Sequence, residues 1–311
     1  MNPKVSILVI SYNELNYLPQ AINSCFSQNY NNLEIIIGDD GSTDGSVDYI
    51  SSLNNVVHSF VMQRDNEVVI PSVRVSNVIR RGLNMASGEY FAVLSGDDYY
   101  TSSASISDAV EFLENNREYF AYVSGFQRVD EAGNIIDEHF PNRQNRSMYW
   151  SGNYIHISCF VFRNIKDVDL LERMNDDTGL EYVLAGMGKW KFGKEIALAY
   201  RQREKSIQHE VDNIELSILE VMIFQDVLNY NKQIYSHATL ARFYKPIVHL
   251  LNHRSELLDN KYRKYILSCE KFNNDILKQI IDGSFSRSLL FRMRIFYKMY
   301  AFRRKIFKFF K

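Results

Sequence analysis

Short apolar runs closed by polar turns, each followed by apolar positions at helical spacing, repeat through the first third of the chain. Val5 to Ile10 is the first such run and reads as a buried strand. Ser11-Tyr12-Asn13 ends it, and Asn13 can cap a helix in which Leu15, Leu18, Ile22, Cys25 and Phe26 recur through about Gln28. Leu33 to Ile37 is a second strand, closed by Gly38-Asp39-Asp40-Gly41-Ser42-Thr43-Asp44-Gly45 and followed by a short helix to about Leu53. Val56 to Met62 alternates loosely as a third strand. Pro71 to Met85 then places Val75, Val78, Ile79 and Leu83 on one helical face. That helix feeds Tyr90 to Leu94, a fourth buried strand, which stops at Ser95-Gly96 and delivers Asp97-Asp98 into a turn.

Strands alternating with helices over short connections predict an α/β fold with a parallel, doubly wound sheet. Right-handed crossovers would put the ends of strands one, two and four on one edge. Beyond Tyr100 the pattern predicts a helix over Ser107 to Asn115, a strand over Phe120 to Phe126 and a hairpin turn between Asp130 and Ile136. Residues 141–160 read as a loop carrying Tyr149-Trp150, and residues 166–187 as helix broken at Asp176-Asp177-Thr178-Gly179. From about Leu216 the chain reads helical, with Gly283 the main break. These shifts divide it into a domain over 1–215 and a helical region over 216–311.

Composition narrows the possible functions. With 46% hydrophobic and 23% charged residues the chain is ordinary for a globular protein, and a net charge of -1 gives no bulk attraction to nucleic acid. The charge is unevenly spread. Residues 287–311 hold nine Lys/Arg and no acid, so the preceding residues carry a net -10. The three cysteines, Cys25, Cys159 and Cys269, are far apart and lack metal spacing, which suits buried thiols in a reducing compartment. No apolar run approaches the roughly 18 residues of a membrane span, and Val5 to Ile10 is too short for a signal-peptide core, so a cytoplasmic location is expected. His249 and His253 lie four apart on a predicted helix but lack an obvious third ligand.

The candidate chemistry lies at the strand ends. In an open α/β sheet, ligands bind beyond the carboxyl ends of the strands. Adjacent acids such as Asp97-Asp98 repel one another unless a cation or ligand hydroxyl takes up the charge. Tyr12 and Asp40, at neighbouring strand ends, can stack on a base and hydrogen-bond its edge. Neither G-x-G-x-x-G nor G-x-x-x-x-G-K-[ST] follows the first strand, which leaves a nucleotide diphosphate held through base, ribose and metal rather than by a glycine cradle.

The stretch VSILVISYNELNYLPQAINSCFSQNYNNLEIIIGDDGSTDGS, followed by GEYFAVLSGDD, resembles the family-2 inverting glycosyltransferases of the GT-A fold, over about residues 3–100 and more weakly to about 205. The resemblance implies a Rossmann-like, doubly wound mixed sheet with a helical C-terminal extension. It implies nucleotide contacts from Ser11, Tyr12, Asn13, Asp40, Arg74, Ser95, Gly96, Asp97 and Asp98, with Tyr12, Asp40 and Arg74 facing the base. The D-x-D segment falls on Ser95-Gly96-Asp97, so Asp97 takes the position that binds Mn²⁺ or Mg²⁺ while Ser95 stands where the first Asp is usual. Asp177 takes the place of the catalytic base. Arg201, Arg203 and His209 lie in the region from which a basic residue can reach the diphosphate.

The expected activity is an inverting, metal-dependent transfer of a hexose or N-acetylhexosamine from a UDP-sugar to a lipid-linked oligosaccharide in bacterial surface-polysaccharide synthesis. Aromatics and aliphatics interleave with Lys/Arg over 287–311, which suggests an interfacial helix on an anionic membrane at the inner face of the cell membrane. The other expectation, motivated by Ser95 and by Asp176 in place of the usual Glu, is a catalytically weak nucleotide-sugar-binding or scaffold protein. No nucleic-acid partner is expected.

Overall fold

A computed structural model of the chain describes residues 2–53, 56–63, 71–141, 155–165, 180, 184, 187–203, 213–230, 237–258, 262 and 275–309. The Asp176-Asp177 pair, Tyr149-Trp150, His209 and Cys269 lie outside the described residues. In chain order the first elements are β1 (Val5–Ser11), α1 (Leu18–Phe26), β2 (Leu33–Asp39), α2 (Ser46–Ser52), β3 (His58–Val61), α3 (Pro71–Met85), β4 (Tyr90–Ser95), β5 (Tyr99–Tyr100) and α4 (Ser105–Asn115). They are followed by β6 (Tyr119–Val129), β7 (Ile135–His139), β8 (Phe160–Arg163) and β9 (Lys189–Arg201). The helices α5 (Asn213–Tyr230), α6 (His237–Asn252), α7 (Asp275–Asp282) and α8 (Arg287–Phe309) complete the chain.

The strands form one sheet in the order β3-β2-β1-β4-β8-β6-β9-β5, with β7 paired to β6. β1 is flanked by β2 and β4, both parallel to it, and its Val5, Ile7, Leu8 and Val9 are wholly buried. Burying each such side chain contributes about 1.5–3 kcal/mol. The register sets Ser11 beside Asp39 and Ile10 beside Ser95, so strands one, two and four end on one edge as the crossover argument expects.

Three expectations are corrected. The sheet is mixed, as the resemblance implies, and not parallel as strand–helix alternation alone predicts, because β8 runs antiparallel to both β4 and β6. β9 is a strand of 13 residues where no strand was expected. Asn13 does not cap the first helix, which starts at Leu18 with Pro19 in its first turn, where the missing N–H costs no helical bond.

Two apolar clusters gather the described residues. The larger lies on the sheet and draws on α1, α3 and α4 through residues such as Ile22, Ile79 and Val110. The second gathers the C-terminal helices around Phe224, Phe243, Ile247, Leu277 and Met293, and also takes in Val73 from α3. No described helix is long and apolar enough to cross a membrane.

Gly88 shows how tightly β4 enters the sheet. A Cβ there would lie 2.7 Å from the Ser6 amide nitrogen and 2.8 Å from the Tyr90 carbonyl, backbone atoms that cannot move aside. Gly88→Ala is therefore expected to lower stability by about 1–3 kcal/mol in urea unfolding; an unchanged midpoint would show that this edge of the sheet is loose.

Candidate active site

The site begins with a clasp between two turns. Asn13 adopts the left-handed conformation at φ 52°, which Asn tolerates better than most residues. Its amide donates to Ser42 Oγ at 2.8 Å, and its Oδ1 accepts from the Thr43 amide at 2.8 Å. The next two amides are met in the same way. Glu14 N donates to Ser46 Oγ at 3.3 Å and Leu15 N to Asp44 Oδ2 at 2.9 Å. Asp39 closes its own turn by accepting from the amide and the hydroxyl of Ser42. In the DDGSTDGS stretch, then, Asp39, Ser42, Asp44 and Ser46 are structural, and Asp40 is left to face the site.

Tyr12 and Glu14, on either side of Asn13, serve two halves of the site. On one side Arg74 Nε sits 3.1 Å from Asp40 Oδ2, an ion pair without hydrogen-bond geometry, and the guanidinium lies 5.3 Å from the Tyr12 ring centroid. The three residues expected to face a base therefore meet. Burial, with the Asp39 charge adding to it, raises Asp40 above the usual carboxylate range, and Arg74 offsets part of that shift. The Ser11 hydroxyl is buried nearby with no hydrogen-bond partner among the described residues.

The other half is built on the turn after β4. Gly96 N donates to the Ile10 carbonyl at 2.7 Å, and Asp98 N to the Ser95 carbonyl at 3.0 Å. Ser95 carries no charge here; its amide donates to Ser158 Oγ at 3.2 Å. Arg203 Nη2 lies 2.7 Å from Asp97 Oδ2 and 3.1 Å from Glu14 Oε1, which joins the D-x-D position to the end of β1. Glu14 was not among the expected site residues. Burial, reinforced by the Asp97 charge, pushes its carboxyl well above the usual range. Burial also raises Asp97, against the pull of Arg203.

Asp98 faces inward. It is 1% exposed, accepts the Arg201 amide at 3.0 Å through Oδ1, and lies 3.6 Å from His156 Nε2 through Oδ2. Burial drives Asp98 up and His156 down to about 4, which disfavours charge on both groups. Arg201 differs in kind from Arg203. Its guanidinium donates to the carbonyls of Asp97, Asp130 and Glu131 and to Gln20 Oε1, between the rings of Tyr17 and Tyr99. With those groups committed inward it fixes the Asp97-Asp98 turn rather than reaching for a diphosphate. Trp190 also packs rather than presents a face, with Phe160 at 5.1 Å and its Nε1 donating to the Leu184 carbonyl.

Among the described residues no three His, Cys, Asp or Glu side chains form a metal cluster. His249 and His253 have rings 4.3 Å apart, but His249 meets Ser217 Oγ and His253 meets a helix carbonyl. At Asp97 the donor chemistry does suit a divalent cation. Two carboxylate oxygens from separate segments converge on one cationic nitrogen, the hard-oxygen environment that Mg²⁺ and Mn²⁺ take up alongside phosphate oxygens.

Fold and site together define an α/β protein of the GT-A class. The chain belongs to glycosyl transferase family 2, whose sequence profile matches residues 6–168, just over half of its length. It is similar to WfaP of Escherichia coli, named as a UDP-Glc:α-D-GlcNAc-diphosphoundecaprenol β-1,3-glucosyltransferase, with 34% identity over 40% of this chain and 47% of that one. An uncharacterised glycosyltransferase of Haemophilus influenzae is 38% identical over 43% of this chain and 51% of its own. The chain thus spans about half the length of these curated relatives. Among solved structures, Staphylococcus aureus TarS with UDP-GlcNAc aligns at a TM-score of 0.57 and 16% identity over 96% of this chain and 91% of TarS. The mannosyltransferase PcManGT of Pyrobaculum calidifontis, solved with GDP-Man and Mn²⁺, aligns at 0.50 and 14% identity over 96% and 87%. At such identities these two likenesses concern the fold.

Arg201→Lys keeps the charge but loses the planar fork that reaches three carbonyls. It is expected to cost about 2 kcal/mol in chemical unfolding, since hydrogen bonds from charged groups contribute about 1.5–3 kcal/mol each. Stability equal to the parent chain would remove the structural role assigned to Arg201.

Proposed function

We propose that the chain is an inverting glycosyltransferase that moves a hexose or N-acetylhexosamine from a UDP-sugar to a lipid-linked oligosaccharide in bacterial surface-polysaccharide synthesis. The observation that carries this reading is the meeting of Tyr12, Arg74 and Asp40 on the sheet edge that also bears Asp97, in a chain of glycosyl transferase family 2. The donor and acceptor classes follow the name of WfaP, and the complex of TarS with UDP-GlcNAc supports a UDP-sugar.

In this reading the uracil stacks on Tyr12 and is hydrogen-bonded by Asp40, with Arg74 holding both groups in place. Ser11, Asn13, Ser95, Gly96 and Asp98 shape the ribose and diphosphate path, mainly through backbone. Asp97 would hold Mn²⁺ or Mg²⁺, and the Mn²⁺ in PcManGT supports that choice of ion. Such an ion neutralises charge on the departing diphosphate. Asp177 takes the acceptor hydroxyl proton as that oxygen attacks the anomeric carbon from the face opposite the diphosphate.

Asp177→Asn is expected to lower turnover by about 10²–10⁴-fold, the usual contribution of a general base, while calorimetry still records UDP binding. Loss of UDP affinity in that variant would make Asp177 a binding residue and overturn the mechanism. A second reading, a catalytically weak nucleotide-sugar-binding or scaffold protein, is favoured by Ser95 and by the engagement of Asp97 with Arg203. A screen of UDP-glucose, UDP-galactose and their N-acetyl forms with Mn²⁺ and a lipid-linked acceptor mimic separates the two. Transfer from any donor supports the enzyme, and binding without transfer supports the scaffold.

The C-terminal helix carries the proposed attachment to the inner face of the membrane. In α8, Met293 is buried and Tyr297 stacks on Tyr244 at 5.3 Å, so part of its apolar surface serves the helical core. Phe291, Ile295 and Met299 form a separate exposed row at four-residue spacing, with Arg292, Arg294 and Lys298 exposed around it. Apolar residues ringed by cations suit an anionic bilayer. Replacing Phe291, Ile295 and Met299 by Ser is expected to weaken co-sedimentation with phosphatidylglycerol vesicles by at least about tenfold. Equal pelleting of both forms would exclude this attachment.

A further inference from the structure

Glu14 is a buried acid for which the mechanism above has no established use. It is 8% exposed, and its Oε2 has no hydrogen-bond partner among the described residues. That oxygen presses on the middle of the Ser95-Gly96-Asp97 segment, where a Cβ on Gly96 would lie 2.4 Å from it. A buried carboxylate oxygen left without a donor costs free energy, so its retention calls for an explanation. The other oxygen of Glu14 shares a single nitrogen, Arg203 Nη2, with Asp97 Oδ2.

We infer that Glu14 and Asp97 form a two-carboxylate cation seat, in which Glu14 supplies the carboxylate that Ser95 does not, and that Arg203 occupies the seat until a divalent cation displaces it. The inference deepens the glycosyltransferase reading by naming the second acid of its ion site and the residue that competes with the ion. The geometry allows the exchange. The nitrogen-to-oxygen distances are 2.7 and 3.1 Å, and metal–oxygen bonds of about 2.1 Å would draw each carboxylate inward by about 1 Å or less. The charges favour it as well. Among the described residues the guanidinium groups facing Glu14, Asp97 and Asp98 are those of Arg201 and Arg203, and Arg201 is committed to the turn. A single guanidinium neutralises one of the two seat carboxylates, whereas a divalent ion neutralises both. Asp98 does not complete the seat, since its Oδ1 is taken by the Arg201 amide and its Oδ2 faces His156. The remaining coordination positions are left to water and to a ligand's oxygens, as is usual for Mg²⁺ and Mn²⁺.

The test uses the full chain and Mn²⁺ alone, with electron paramagnetic resonance reporting free ion and no nucleotide present, so a failed donor screen would leave it untouched. Arg203→Met is expected to bind Mn²⁺ at least about tenfold more tightly than the parent chain, a difference of about 1.4 kcal/mol. The double variant Arg203→Met with Glu14→Gln is expected to lose that gain. Arg203→Met binding no more tightly than the parent overturns the competition, and a double variant binding as tightly as Arg203→Met removes Glu14 from the seat. Because Arg203→Met leaves two buried carboxylates facing each other, refolding is followed with and without Mn²⁺. Recovery of Arg203→Met that depends on Mn²⁺ supports the seat, and failure to recover in its presence counts against it.

Discussion

The clasp between residues 13–15 and 39–46 is the constraint on which the site depends. Three successive amides at the end of β1 are each met by a side-chain oxygen from the turn after β2, so the two strand ends cannot drift apart. Neutral bonds of this kind contribute about 0.5–1.5 kcal/mol each, and those to a carboxylate somewhat more. Their larger effect is directional. Holding Asn13 in the left-handed region sends Tyr12 towards Asp40 and Arg74, and Glu14 towards Asp97 and Arg203. One backbone conformation thereby divides the sheet edge into a half suited to a base and a half suited to phosphate and cation.

The second half carries an electrostatic problem that the fold solves from a distance. Three acids, Glu14, Asp97 and Asp98, are buried together; burial raises all three, and the Asp97 charge adds to the rise at Glu14 and Asp98. The two cations that answer them come from the far end of β9, with Arg201 103 residues after Asp98 and Arg203 189 residues after Glu14. Arg201 is spent on carbonyls and on fixing the turn, while among the described residues the polar partners of the Arg203 guanidinium are the Glu14 and Asp97 carboxylates, with the Tyr17 ring beside it. That difference makes the first arginine a structural strut and the second an exchangeable counter-ion. Neighbours in the chain take unlike roles because one still lies in the strand and the other has left it.

This division sets what could be read beforehand. β1, β2 and β4 were legible because each is buried on both faces and so writes a continuous apolar run, bounded by Gly, Ser and Asp. β9 was not, because Lys189, Lys191, Lys194 and Glu195 interrupt its apolar positions and Gly193 sits within it. Tyr12 and Asp40 were legible from their strand-end positions and Arg74 through the resemblance, and the three meet as a group. Glu14 was missed although it lies two residues from Tyr12, since nothing local marks it as buried; only the left-handed Asn13 turns it inward. The DDGSTDGS stretch carried a usable signal for the clasp in the alternation of Ser42, Asp44 and Ser46. That spacing presents oxygen acceptors to successive amides of an adjacent strand end. The helix-cap expectation for Asn13 failed for the same reason, because its side chain is engaged with Thr43 before a helix can use it.

The C-terminal helices also bear on the nucleotide half of the site. Val73, 1% exposed, belongs to the apolar cluster of α5, α6, α7 and α8, while its neighbour Arg74 pairs with Asp40 and lies over Tyr12. The first turn of α3 therefore has one residue embedded in the helical core and the next in the site. An arginine side chain has many rotamers, and holding one against an aspartate costs conformational entropy that a surface pair seldom recovers. Anchoring the adjacent backbone through Val73 reduces that cost, because the helix end is already fixed before the guanidinium is placed. Among the described residues the helical region thus reaches the site by packing around Val73. A change deep in that core, far from any nucleotide, would be felt first as looser positioning of Arg74.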